Sequence, residues 1–115
     1  MLYDFAVFFG RFQPPHIGHQ HVIDEALKQA TTVIIMVGSS DSARSIRNPF
    51  TYEERLHMFN VVYRHEIANG RIIIRPIPDF LYNDEAWMAE AQKIVTKTIL
   101  EVGNNGGIQL HGTKD

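Results

Sequence analysis

The sequence predicts an α/β fold, a parallel sheet with helices on both faces, from the order β-α-β-α-β-α-β. Three observations predict it. The strand candidates are short continuous apolar runs, as strands covered on both faces read. The stretches between them carry apolar residues at helical spacing. Clusters of glycine, proline, serine and asparagine mark most of the passages. Such alternation is resolved by right-handed crossovers into a parallel sheet. The 115 residues suit one domain.

Residues 3–9 (YDFAVFF) form the first strand candidate, ended by Gly10. Residues 18–30 follow as a helix, with Val22, Ile23, Ala26, Leu27 and Ala30 as its buried stripe. Residues 32–37 (TVIIMV) are the second strand, ended by Gly38, Ser39 and Ser40, and SSDSARSIRNP reads as a long loop. Thr51 opens the second helix, because Thr51 and Glu54 have the spacing of a capping box. Leu56, Phe59, Val62 and Tyr63 are expected on its inward face, and Arg55 on its surface. Residues 71–75 (RIIIR) are the third strand, stopped by Pro76 and Pro78, which cannot donate to a ladder. A third helix spans residues 84–102, with Met88, Ala91, Val95, Ile99 and Val102 on one side and Gly103 as C-cap. Residues 108–110 give a short fourth strand.

Composition narrows the function. Without cysteine there are no disulfides and no thiolate metal sites, which fits a reducing cytoplasm. A net charge of −2, with charges scattered, predicts neither nucleic acid nor membrane as partner. The N-terminus MLYDFAVFFG lacks a basic n-region, and no apolar run approaches the roughly 20 residues that span a bilayer. A cytoplasmic domain is expected.

The chemistry lies in residues 10–21, GRFQPPHIGHQH, at the carboxyl end of the first strand. In open parallel sheets ligands sit at that end, where strand order reverses. His16, Gly18 and His19 form an H-x-G-H unit where loop becomes helix. A helix start exposes unpaired N–H groups and a partial positive charge, which favour phosphate. Glycine permits close backbone approach, two imidazoles can donate to phosphate oxygens, and Arg11 adds a planar fork. A turn alone needs none of these. Zinc is the competing reading, but there is neither cysteine nor H-E-x-x-H, so no protein metal site is expected. His21 lies about 200° around the helix from His19 and is given no role.

G-R-F-Q-P-P-H-I-G-H resembles the signature of the H-x-G-H nucleotidyltransferase superfamily, in particular nicotinamide-mononucleotide adenylyltransferases of the archaeal type and the branch fused to a Nudix hydrolase. NPFTYEER at 48–55, PIPD at 76–79 followed by Trp87, and the terminal HGTKD fit the same pattern in the same order. The resemblance implies a Rossmann-like fold of nucleotidyltransferase type, incomplete at the C-terminus, with residues 1–115 as its N-terminal, catalytic-loop-bearing part. It implies an adenylyltransferase of NAD biosynthesis that joins ATP and nicotinamide mononucleotide into NAD and pyrophosphate, with Mg2+ carried by ATP. His16, His19 and Arg11 would be catalytic. Gly10, Phe12, Gly18 and Arg47 would join them in holding ATP phosphates, although Arg47 reads equally as a solvated loop residue. Phe9, Asp79, Asn83 and Trp87 would hold the mononucleotide; by residue type alone Trp87 reads as core.

The family's second phosphate-binding element, which follows a K-D dipeptide in the Nudix-fused branch, is not found before Lys114–Asp115. The expectation is therefore a fragment that is weakly active or inactive by itself, with an exposed sheet edge that favours a homo-oligomer. The alternatives are another H-x-G-H nucleotidyltransferase, such as a cytidylyltransferase, or a non-catalytic nucleotide-binding module.

Overall fold

The apolar runs are strands in the computed structural model, which describes residues 2–40, 44–46, 48–78 and 84–102 and the backbone of 108–112. The order is β1 (Tyr3–Gly10), α1 (Ile17–Gln29), β2 (Ala30–Val37), α2 (Tyr52–Val62), α3 (Arg64–Ala68), β3 (Ile72–Pro76), α4 (Asp84–Val102) and β4 (Ile108–Gly112). The four strands form one parallel sheet in the order β3-β2-β1-β4. Register pairs Val7 with Ile34 on one side and with Leu110 on the other. The chain moves outward from β1 to β3 and then returns to the far side of β1. The reversal point thus falls at β1, whose carboxyl end carries the histidine loop.

Alternation along the central strands builds two cores. Ala6, Phe8, Val33 and Ile35 pack with Ile23 and Ala26 of α1 and Phe59 of α2. Phe5, Val7, Ile34 and Met36 pack with Ala91 and the half-buried Trp87, Ile94, Val95 and Ile99 of α4. Both faces are therefore covered, which is why the strands are apolar without interruption. Hydrogen bonding continues past the strand ends: Gly38 N–H donates to Gly10 C=O at 2.8 Å, and Ile77 N–H to Val37 C=O at 3.0 Å. The loops at this end begin in fixed positions.

Several expectations need correction. Val62, Met88 and Val102 are exposed rather than inward. On α2 the buried line is Arg55, Phe59 and Tyr63, spaced by four, and Val62 lies off it. Arg55, expected at the surface, has no exposed area. A short helix, α3, not expected from the sequence, lies between α2 and β3, and β4 continues to Gly112. Gly103 lies outside the described residues.

The capping box of α2 is present. Thr51 Oγ1 accepts from Glu54 N–H at 3.2 Å, and Glu54 Oε1 accepts from Thr51 N–H at 2.9 Å. That backbone bond and the Arg44 guanidinium hold the Glu54 carboxyl below its usual range. Thr51→Ala is expected to cost about 1 kcal/mol in urea unfolding.

Tyr63 donates to Asp24 Oδ1 at 2.9 Å and ties α2 to α1. Burial, then the Asp24 carboxylate, pushes its phenol above the ordinary range. An acid whose folded-state pKa is raised stabilises the fold fully below its unfolded pKa and loses that contribution as pH rises. Stability should therefore fall above about pH 10, and Tyr63→Phe should flatten that alkaline limb at a cost of about 1 kcal/mol at neutral pH. Melting temperature against pH for the two proteins checks both.

Candidate nucleotide site

Loop 1 joins Gly10 to the first turn of α1, and its last residue is the N-cap. His16 has extended backbone (φ −135°, ψ 179°), as an N-cap requires. Its Nδ1 accepts from Gly18 N–H at 3.0 Å, and His19 Nδ1 accepts from His16 N–H at 3.0 Å. With His19 N–H also directed to the His16 side chain, the two residues form a reciprocal capping box. Imidazoles stand where a hydroxyl and a carboxylate usually do. The rings stack with centroids 3.7 Å apart.

This arrangement has a chemical consequence. A neutral imidazole has one N–H and one acceptor nitrogen. Since each Nδ1 accepts from the main chain, the proton of each neutral ring sits on Nε2. Both rings are thereby set as Nε2–H donors. Gly18 is required beside them, because a Cβ there would come within 2.9 Å of His16 Cε1. The expected H-x-G-H convergence exists, with His16 exposed and His19 only 3% exposed.

Phe12 has a different role from the one expected. Its side chain is fully buried, with ring centroids 4.6 Å from His19, 5.0 Å from Phe59 and 5.4 Å from Phe8. The backbone turns through φ 54° to put the ring there. A Cβ on Gly10 would lie 2.8 Å from Phe12 Cζ, so Gly10 makes room for the ring. Phe12 therefore supports His19 from below, and only its main chain could meet a ligand.

Two side chains without an expected site role bind loop 1 to the passage between β2 and α2. The Arg55 guanidinium donates to the carbonyls of Arg11, Gly38, Ser39 and Thr51. Gln13 uses both ends of its amide: Nε2 donates to Phe50 C=O at 3.0 Å, and Oε1 accepts from Phe50 N–H at 2.9 Å. The Arg11 stem passes over Gly38, where a Cβ would lie 3.5 Å from Arg11 Cγ. For Arg55 the readable signal was its i, i+4, i+8 alignment with Phe59 and Tyr63.

On the other face, Phe9 and Trp87 meet edge to face at 5.3 Å, both half-buried. Arg47, Asp79 and Asn83 lie outside the described residues. Among the described residues no group of three or more histidine, aspartate and glutamate side chains could hold a metal ion. A shallow groove along the solvent face of α4, lined by Lys93, Thr96 and Lys97, carries none of the motif residues.

Residues 7–98 match the family described as cytidylyltransferase-like. The chain belongs to this family. Within it, this cytidylyltransferase-like chain is 38% identical over 109 residues to a nicotinamide/nicotinic acid mononucleotide adenylyltransferase of Acinetobacter baylyi, covering 95% of this chain and 56% of that protein. It is 41% identical over 81 residues to a nicotinamide-nucleotide adenylyltransferase of Aeropyrum pernix, covering 69% of this chain and 46% of that one. In structure it is similar to a bifunctional NMN adenylyltransferase/ADP ribose pyrophosphatase of Francisella tularensis complexed with AMP and a manganese ion. That likeness has a TM-score of 0.84 and 31% identity, over 98% of this chain and 37% of the other. The chain spans about half the length of the curated relatives it matches. Its Rossmann-like nucleotidyltransferase fold agrees with the sequence expectation. Among the described residues no helix is long and apolar enough to cross a membrane.

Proposed function

We propose that the protein joins ATP and nicotinamide mononucleotide into NAD and pyrophosphate, with residues 1–115 supplying the catalytic-loop-bearing part of the nucleotidyltransferase domain. The observation that carries this reading is the mutual capping of His16 and His19 at the helix start, which occupies both Nδ1 atoms and leaves Nε2 of each neutral ring as its N–H donor. The names of the relatives support an adenylyl rather than a cytidylyl donor. A cytoplasmic setting belongs to the same reading.

The 5′-phosphate of the mononucleotide attacks the α-phosphorus of ATP in line. A P–O bond forms to that phosphate oxygen, and the bond from the α-phosphorus to the bridging oxygen breaks. Pyrophosphate leaves with the electron pair. The nucleophile is already ionised, so no base or covalent intermediate is needed. Catalysis is then positioning and charge stabilisation. His16 and His19 donate to the triphosphate, and Arg11 adds its fork. Gly10 and Gly18 are assigned to the phosphates through their main chain, and Arg47 to a phosphate of either substrate.

A divalent ion, Mg2+ in this reading, would enter with the nucleotide and supply charge neutralisation at phosphate oxygens, in keeping with the oxygen ligands that ion prefers. The manganese and AMP in the Francisella structure support such a partnership. For the mononucleotide, the Trp87 indole face suits a cationic pyridinium, Phe9 braces the indole, and Asp79 or Asn83 takes the carboxamide.

The test is NAD formation from ATP and nicotinamide mononucleotide by the full-length protein. Formation of no NAD, with turnover of CTP and a phosphorylated alcohol instead, would overturn the reading. Trp87→Ala is expected to raise KM for the mononucleotide by about 3- to 30-fold and to leave KM for ATP unchanged. An unchanged mononucleotide KM would remove Trp87 from the site.

A further inference from the structure

Arg55 is a buried cation on a helix that contributes nothing to the H-x-G-H unit. Burying a guanidinium costs several kcal/mol unless its donors are satisfied. Here Nε donates to Thr51 C=O at 3.1 Å, Nη1 to Arg11 C=O and Gly38 C=O at 2.6 Å each, and Nη2 to Ser39 C=O at 3.2 Å. Three of these acceptors belong to the loops that leave β1 and β2. The fourth is the N-cap of α2.

The acceptors also mark where the backbone is least relaxed. Arg11 precedes Phe12 at φ 54°, and Gly38 precedes Ser39 at φ 53°. A left-handed conformation outside glycine costs roughly 1–2 kcal/mol and needs support from its surroundings. One planar group spanning both turns supplies that support. Lysine, a single charge centre without the fork, would not reach the four acceptors together. Gln13 joins the same loops from the other side, through Phe50.

We propose that Arg55 is a positioning residue of the nucleotide site: by clamping the carbonyls of Arg11, Gly38 and Ser39 it sets the spacing between the first two loops, and so the place of the Arg11 fork relative to the His16–His19 pair. The ligand's identity rests on the adenylyltransferase reading; the clamp does not.

The experiment compares Arg55→Lys and Arg55→Met with Tyr63→Phe, a change at the C-cap of the same helix whose hydroxyl bonds to α1 and to neither loop. Amide hydrogen exchange is followed without ligand, and KM for ATP, KM for the mononucleotide and kcat are measured where each variant is folded. For Arg55→Lys, exchange at Gly38 N–H and across residues 10–13 should accelerate about tenfold or more, with KM for ATP rising by a similar factor. Tyr63→Phe should alter neither. If Arg55→Met does not fold, the lysine variant still decides. Unchanged loop exchange, unchanged KM for ATP, or an equal effect of Tyr63→Phe would each overturn the proposal. If the unsubstituted protein neither binds ATP nor makes NAD while the lysine variant still loosens both loops, the adenylyltransferase reading falls and takes the positioning role with it, leaving only the clamp.

Discussion

In the proposed reaction, replacing His19 with alanine is expected to slow NAD synthesis by about 100- to 1,000-fold, the usual consequence of deleting one preorganised donor to developing charge. Besides the packing of the His19 ring on Phe12 and His16, the change removes two things. One is the acceptor for His16 N–H, half of the helix cap, worth about 1 kcal/mol. The other is the Nε2–H donor that the cap holds in place. Stability and turnover separate them, because the first term acts in urea unfolding and the second in kcat. His16→Ala should show the same division, since its ring caps Gly18 and stacks on His19. A loss of less than about fivefold for both variants, in folded protein, would mean that the pair is only a helix cap.

The second large effect belongs to Phe12, and it falls on stability. Phe12→Ala removes a fully buried ring that touches Phe8, Phe59 and His19. An expected cost of about 3–5 kcal/mol is a large share of the 5–15 kcal/mol typical of a native protein. The loss should also reach the site, because His19 would no longer have a floor. Gly10→Ala offers a milder version: its new Cβ would press on the same ring. A denaturation midpoint close to that of the unsubstituted protein for Phe12→Ala would contradict the packing described here.

The strands were legible because burial on both faces leaves a continuous apolar run, and β1, β2 and β3 have no other reading. The bounds of α4 and the Thr51–Glu54 cap were legible for local reasons, since spacing alone defines them. What escaped the sequence was long-range. Arg55 looks like any surface arginine of an amphipathic helix, and its acceptors Arg11, Gly38 and Ser39 lie 16 to 44 residues away. Phe12 sits between glycine and proline in a loop, so neither periodicity nor propensity marks it as core. The position of Val62 was misjudged for the same reason: hydrophobicity suggested an inward residue, while the row of four-residue steps turned another side chain in. In the site, the grouping of His16, Gly18 and His19 at the helix start was readable from residue type. That the two imidazoles cap each other was not, because histidine is an uncommon cap.

The wedge formed by Phe12 between Gly10 and Phe59 has a thermodynamic consequence for recognition. A glycine- and proline-rich loop would ordinarily lose conformational freedom on meeting its ligand. Here that ordering is completed when the ring enters the hydrophobic interior, so association should carry little further entropic penalty in this loop. Calorimetry of ATP binding should then show a small heat-capacity change, and any closing motion during turnover would originate elsewhere in the molecule.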